Sequence, residues 1–355
     1  MARTWSLVRG IDGLVPIALF SGLAYFAAHF TFGHLNKSGL GQSLQGACHP
    51  RHTDAQPYRL VYTGLHQVDE LLCTLVAFFH AALDEPDALK ALSYIVGAAA
   101  PFIAIPTIES CRAGRGMAIS LPVILGLLSQ VFTVGVTFPI YWLIFIVSGG
   151  AKIGRRRPED AKITQAHAEA VVFGLIVGAA IPSVGMLVLS DPIVTAIWQP
   201  YPAYVSIAQV FHLLIRPASK HSTTGYKTIR LLYLSMFIVY SSIHIATIWP
   251  LFKDIDTLFR VYLPSFTIPD RTATAAVRVL HFLKWDVTFC FSSSILATLW
   301  FTNTMKEVLS LLAWNVIAIP LFGPGAAFAG VALWRESSLH KQVTNSKVAI
   351  KIKGT

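Results

Sequence analysis

Charge is what this chain has least of. Acidic and basic residues together make up 13% of its 355 residues, while apolar residues make up 54%. A soluble domain carries about 25% charged residues, so there are too few here to cover a water-facing surface. Alternation is missing too. The apolar runs do not switch polarity at every second residue as membrane β-barrel strands do, so helices are expected. There is no internal repeat, no low-complexity segment and no stretch between the runs long enough for a soluble domain. Motifs are equally scarce. DDxxD is absent, as is NxxxD followed by a second acidic cluster, the arrangements that hold magnesium on a diphosphate, which argues against an enzyme that ionises a prenyl diphosphate. HExxH, GxSxG, a P-loop and a Gly-rich nucleotide fingerprint are absent as well, and no histidine cluster has metal spacing, so neither a metal nor a cofactor is expected. The four cysteines, Cys48, Cys73, Cys111 and Cys290, form no CxxC pair, so neither a zinc site nor a disulfide framework is indicated. The first apolar run lacks a small-residue cleavage site and reads as a retained signal anchor.

What is present is apolar length. A helix needs about 20 mostly apolar residues to cross a bilayer, and nine candidate segments stand out: Ile11–Thr31, Leu60–Leu83, Ala91–Ile108, Ala118–Val147, Ala166–Leu189, Ile193–Ile215, Ile229–Phe252, Ala275–Phe301 and Val308–Leu333. The expected fold is all-α, a polytopic membrane helical bundle of about eight to nine transmembrane segments, with residues 1–355 forming a single integral membrane domain. The gap from Lys253 to Thr274 contains a candidate interfacial helix. The net charge of +10 sits between the apolar runs, where Lys and Arg set topology. Membrane lipid rather than nucleic acid is therefore the expected partner. Basic residues collect in the loop Lys152–Lys162 and in the tail 335–355, which is expected to be cytosolic. Nine clean crossings would place these two clusters on opposite sides. The last segment is broken at Pro320, Gly323, Pro324 and Gly325; a re-entrant bend there restores the charge asymmetry. An even number of crossings with both ends cytosolic is favoured. The final residues, KIKGT, carry Lys351 and Lys353 at a spacing that resembles the dilysine signal of endoplasmic-reticulum proteins, though a basic tail that only anchors topology has the same sequence.

An ionisable group inside a bilayer is costly and is a functional candidate by default. In the second segment His66, Asp69 or Glu70, Cys73, Ala77, His80 and Asp84 recur at helical steps along one stripe. Two adjacent carboxyls in a dry site favour retention of one proton, as a general acid requires, and Asp69 is the favoured donor. The competing reading is a wet helix N-terminus, where both acids suit the helix dipole. Glu109 precedes Arg112 by three residues, a spacing that favours a structural ion pair over a site role. Glu169 lies near Gln165 and His167 at the start of its segment. Asp286 faces inward if Lys284 snorkels outward. Tyr233, Phe237, Tyr240 and His244 recur at steps of four, three and four; Tyr141, Trp142, Trp198, Tyr201, Tyr204 and Trp285 add further aromatic rings. Interfacial belts explain most of these, but Phe237 and Tyr240 lie mid-segment, where an aromatic face can stabilise a cation. The resulting candidates are Asp69, Glu70, Glu109, Asp286 and Glu169 for chemistry, and His66, Tyr62, Phe237, Tyr240, His244 and Trp285 for binding.

Tyr62–x–Gly64, Asp69, Leu72, Val76, Phe78 and Phe79, with the stretch Glu109–Ser110–Cys111–Arg112, resemble the pattern of fungal integral-membrane terpene cyclases of meroterpenoid pathways, of the ascofuranone and macrophorin cyclase type. Length and hydrophobicity are similar over the whole chain. The resemblance implies a metal-independent cyclisation of a farnesylated phenol or quinol, begun by protonating a terminal epoxide or olefin. The substrate would be a hydrophobic prenylated small molecule, and Asp69 the acid by position. A transporter or receptor, or a sterol-isomerase-like lipid enzyme, remains compatible with the same buried acids.

Overall fold

The computed structural model describes residues 13–48, 58–155 and 157–353. The start of the first apolar segment at Ile11, residues 49–57, Arg156 and the last two residues of KIKGT lie outside the described residues. Every named element among the described residues is helical. Chain order gives α1 Val15–Lys37, α2 Leu40–Gly46, α3 His66–Leu83, α4 Pro86–Ser110, α5 Pro122–Phe132, α6 Val134–Val147, α7 Gln165–Leu189, α8 Pro192–Trp198, α9 Tyr201–Ile215, α10 Tyr226–Lys253, α11 Ile255–Tyr262, α12 Ala275–Ala297, α13 Met305–Phe322 and α14 Pro324–Lys353. Starts are written in the sequence. Pro occupies the first turn of α4, α5, α8 and α9, where its missing N–H costs nothing. Glu85 and Asp191 cap α4 and α8 through their side chains, and Thr304 with Glu307 forms a capping box at α13.

Five helices are long and apolar enough to cross a membrane: α1, α4, α7, α10 and α13. That is fewer than the eight or nine expected, for physical reasons. The second segment becomes helical only at His66, and α3 is not among the five. Helix α12 has the length but carries Arg278, His281, Lys284 and Asp286. The Lys253–Thr274 gap contains the short helix α11, which covers residues 255–262.

The fourth segment, expected as one crossing, is two arms. At 1.5 Å per residue the 11 residues of α5 and 14 of α6 span about 16 and 21 Å, short of the ~30 Å hydrocarbon core. They meet at Thr133, whose φ of 66° and ψ of 156° no β-branched residue adopts readily. Ser129 and Thr137 hydroxyls approach to 2.6 Å across the bend. Ile119 before α5 and Phe145–Gly150 at the end of α6 share one small recess with Glu109. The two arms therefore form a hairpin rooted at one end of the bundle, with its tip inside. Broken backbone at such depth is tolerated where protein buries it or it lines a cavity.

The ninth segment divides similarly. Helices α13 and α14 reverse at Gly323, at φ 87°, where an added Cβ would lie 2.7 Å from His244 Nδ1. The bend foreseen at Pro320–Gly325 is thus a junction between two full helices.

Helix α4 separates two chemically distinct ends, since its 25 residues measure about 37 Å. At its first end Asp87 pairs with Lys90 and Arg260. There Cys48 and Cys73, 25 positions apart, are joined by a disulfide, against the expectation of no disulfide: α2 and α3 lie side by side. At the other end four buried charges interlock. Glu109 accepts from Arg112 Nε (2.9 Å) and Arg335, and Arg112 also binds Glu336 and the Ala161 carbonyl (2.8 Å). Between the ends the core is aromatic. Phe102 stacks between Phe291 and Phe328 at 4.7 and 4.8 Å, and Trp142 Nε1 donates to Ser294 Oγ at 2.9 Å.

Candidate functional site

A cavity of about 580 Å³ lies between α3, α4, α7, α10 and α12 and reaches the tip of the α5–α6 hairpin. Phe78, Phe79, Trp198, Tyr201, Tyr240 and Phe282 supply its aromatic wall. A second lobe of about 90 Å³ continues from it between α4, α5, α9 and α12. Among the described residues lining the two lobes, Asp286 is the one charged side chain. The π-helical turns in α1 and α7, at His29–Gly33 and Leu175–Ala180, both border the larger lobe through Phe32, Leu175 and Ala179, which fits the habit of such turns to sit at functional sites.

Asp286 owes its placement to two glycine-enabled facts. It lies midway along α12, and the first turn of α6 points free N–H groups at it. Gly135 N–H donates to Asp286 Oδ1 at 2.6 Å. A Cβ on residue 135 would sit 2.6 Å from the Asp286 carbonyl oxygen and 2.8 Å from Oδ1, so only glycine lets the hairpin tip approach α12 this closely. No ion pair involves Asp286 among the described residues. Its neighbour Lys284 instead donates to the Arg260 carbonyl at 2.7 Å, toward the disulfide end. One carboxylate oxygen is thus anchored, and the carboxyl group forms part of the cavity wall.

The other candidates are dispersed. Asp69 lies in the first turn of α3 and caps the preceding loop: Oδ1 accepts from Thr63 N and Oγ1, both at 2.7 Å, and Oδ2 from Gly64 N at 3.1 Å. Desolvation pushes its carboxyl up, but the Thr63 and Gly64 hydrogen bonds outweigh that and hold it below the usual aspartate value. Such a group holds its proton poorly, the reverse of what the two-carboxyl reading of the sequence favoured. Glu70 and His66 are solvent-exposed and 4.0 Å apart. Tyr62 donates to the Tyr58 carbonyl at 2.7 Å. Along the same stripe Cys73 is in the disulfide, His80 meets Thr195 at 3.2 Å and Asp84 accepts from Tyr58; the stripe stitches loops together. Glu109 belongs to the buried Arg112–Arg335–Glu336 cluster at the opposite end. Glu169 accepts from Arg216 Nε at 2.7 Å and Gln165 at 3.0 Å.

Of the binding candidates, Tyr240 lines the larger lobe. Phe237 packs on Phe322 and Trp314. His244 accepts or donates between Tyr94 (2.8 Å) and the Pro320 carbonyl (3.2 Å), beneath the α13–α14 reversal. Trp285 stacks on Phe30 at 4.2 Å and donates to Ser265 O at 3.0 Å. Asp286 and Tyr240 are therefore the two sequence candidates that share the cavity. The hairpin tip, with Ser129, Gln130 and Thr133, was not foreseen. The sequence offers a partial signal: the 30-residue, mostly apolar stretch from Ala118 to Val147 is long for one crossing and is interrupted by Ser129, Gln130, Thr133 and Gly135.

These observations define a class: an apolar all-helical protein with five helices long enough to cross a membrane, enclosing a greasy cavity with one acid among the described residues of its wall. Within that class the chain belongs to the CtvD domain family, whose match covers residues 15–339. Two relatives carry names. Terpene cyclase ascI of Acremonium egyptiacum is 25% identical over 254 residues, 65% of this chain and 65% of that protein. Terpene cyclase ctvD of Aspergillus terreus (strain NIH 2624 / FGSC A1156) is 27% identical over 213 residues, 56% of each. The alignments span less than two thirds of either relative. No solved structure matches the chain.

Proposed function

We propose that the protein is a membrane-embedded terpene cyclase. It takes a farnesylated phenol or quinol, with or without a terminal epoxide, and starts cyclisation by proton transfer from Asp286. The observation that carries this reading is the position of Asp286, among the described residues the one charged side chain lining a large apolar, aromatic cavity. The names of the two relatives support the reaction class.

In the proposed reaction Asp286 is protonated, with Oδ1 held by Gly135 N–H and its acid proton directed to the substrate. Transfer to the epoxide oxygen opens a C–O bond; transfer to an alkene carbon consumes a π bond. Either leaves a carbocation that the next double bond attacks. The aromatic wall stabilises the migrating charge, each well-placed ring by ~0.5–2 kcal/mol, and the lining excludes water that would quench it. The sequence ends when a carbon loses a proton, or when the phenol oxygen closes a ring and loses its own, to the Asp286 carboxylate. The acid is regenerated and the product is an isomer of the substrate, so no metal or cofactor step is invoked.

The membrane is the proposed route of supply. Val131, Val184 and Val239 line the larger lobe yet are 49%, 59% and 50% exposed, so the wall between α5, α7 and α10 opens laterally, toward lipid. We place the protein in the endoplasmic reticulum with the Cys48–Cys73 end in the lumen. Disulfides persist in oxidising compartments, and Arg112, Arg115, Lys152, Lys162 and Arg335 mark the opposite end as cytosolic. On this view α3 and the α5–α6 hairpin do not cross, and both chain ends face the cytosol.

The test is product formation. Microsomes expressing the protein, fed an epoxyfarnesyl phenol, should yield an isomer of unchanged mass lacking the epoxide. No conversion of either the epoxide or the parent olefin would overturn the reading. One observation favours a second reading. A discontinuous helix whose N-terminus reaches a mid-bundle carboxyl is also a transporter device; flux without chemistry in the same vesicles would establish it.

A further inference from the structure

The two lobes of the cavity are unequal in a way that bears on substrate choice. They share seven lining residues, among them Ile103, Ser129, Val134, Tyr201 and Val287. Val287 adjoins Asp286 and Val134 adjoins Thr133, so the acid stands at the throat between them. Beyond the throat the smaller lobe is closed by Phe102, Pro106, Pro202 and Phe291. Two of its hydroxyls are committed to backbone: Thr107 Oγ1 donates to Ile103 O and Ser129 Oγ to Leu125 O, both at 2.8 Å. No charged side chain lines it. A hydrocarbon group suits such a recess, and a phenolic head does not.

Volume narrows the choice. The recess, at about 90 Å³, suits the short branched end of a chain better than a ring. The larger lobe, at about 580 Å³, is several times its size and suits the rest of the chain and its aromatic head.

We propose that the smaller lobe seats the terminal dimethyl end of the prenyl chain and so acts as a ruler, selecting the chain length whose last double bond or epoxide lies against Asp286. This rests on the cyclase reading. It adds an orientation, tail deep and aromatic head toward α3 and α7, and it makes Ser206 and Phe291, at the wall of the recess, determinants of chain length.

The test uses membranes carrying the full chain and two probes, the terminal epoxides of a farnesyl phenol and of a geranyl phenol. The readout is the ratio of their turnovers, which is internal to each preparation and insensitive to how much protein folds. Ser206→Leu fills the recess and shortens the cavity from end to end, so the longer chain overfills it first and the ratio should move toward the shorter chain by at least about tenfold, since one methylene in an apolar pocket is already worth that much. Phe291→Leu enlarges it and should move the ratio the other way. Val210→Leu, exposed on the same helix as Ser206, should leave it unchanged. If wild type cyclises the probes while both recess variants keep its ratio, the ruler is wrong and the cyclase reading stands. If wild type cyclises neither probe, the cyclase reading fails and the ruler with it.

Discussion

Replacing Gly135 with alanine perturbs the acid without touching it. Residue 135 has ordinary helical φ, and alanine is the better helix former by roughly 1 kcal/mol, so local propensity alone predicts a gain in stability. Packing predicts the opposite. The new Cβ would lie 2.6 Å from the Asp286 carbonyl oxygen and 2.8 Å from Oδ1. Comfortable contact lies near 3.5–4.0 Å, so the hairpin tip must retreat by roughly 1 Å. Overpacking of this kind costs about 1–3 kcal/mol, which outweighs the propensity gain. The retreat also breaks the 2.6 Å hydrogen bond from Gly135 N–H that holds Oδ1 of the carboxyl. A misplacement of about 1 Å costs on the order of 100-fold in rate. We therefore expect Gly135→Ala to lower turnover of an epoxyfarnesyl phenol about 100-fold and to lower the melting temperature of the detergent-solubilised protein by a few degrees. Wild-type turnover in a variant that retains its fold would refute the idea that the tip of α6 positions Asp286.

Asp69→Asn should keep most of the wild-type turnover, because the side chain caps a loop outside the cavity and asparagine can still accept from Thr63; loss of activity in a folded variant would return Asp69 to the mechanism. Since the Asp69 carboxyl lies below its usual value when folded, its contribution to the loop is present above that usual value and fades as pH falls through the depressed one; proteolysis near residues 62–65 should rise only in acid. Cys73→Ser opens a 25-residue loop and should cost roughly 3 kcal/mol of stability, read as a lower melting temperature, while wild type shifts on non-reducing gels. Arg112→Ala leaves Glu109 and Glu336 buried without a shared partner and should destabilise by about 3–5 kcal/mol, abolishing accumulation of folded protein rather than altering turnover per molecule.

Apolar length and scarce charge made the all-helical class and its long apolar helices legible, and Pro and Asp or Thr placements wrote many helix starts. Crossing number was not legible in the same way. Length alone does not tell one crossing from a hairpin of two short arms, and the decisive feature at Thr133 is a backbone conformation stabilised by tertiary packing. The disulfide was hidden because Cys48 and Cys73 meet only once α2 and α3 fold together. Among the acids, sequence distance from a segment end did not separate Asp69, nine residues inside Leu60–Leu83, from Asp286, eleven inside Ala275–Phe301; the late helix start at His66 is what leaves Asp69 near an end. Asp286, well inside its segment, reaches the cavity, while Asp69, Glu70 and Glu169 remain near helix ends with polar partners. Glu109 was read as an ion pair with Arg112 and makes one, but Arg335 and Glu336 arrive from over 200 residues away, beyond any local pattern.

The central claim is that Asp286 delivers the proton. Asp286→Asn removes that proton, yet its amide oxygen can still accept from Gly135 N–H, so the hairpin tip should stay in place and the protein should fold. In the same membranes, with chain amounts equalised, the account predicts that turnover of an epoxyfarnesyl phenol falls by about 100- to 10,000-fold, the range a general acid contributes. Turnover within a few fold of wild type would contradict it.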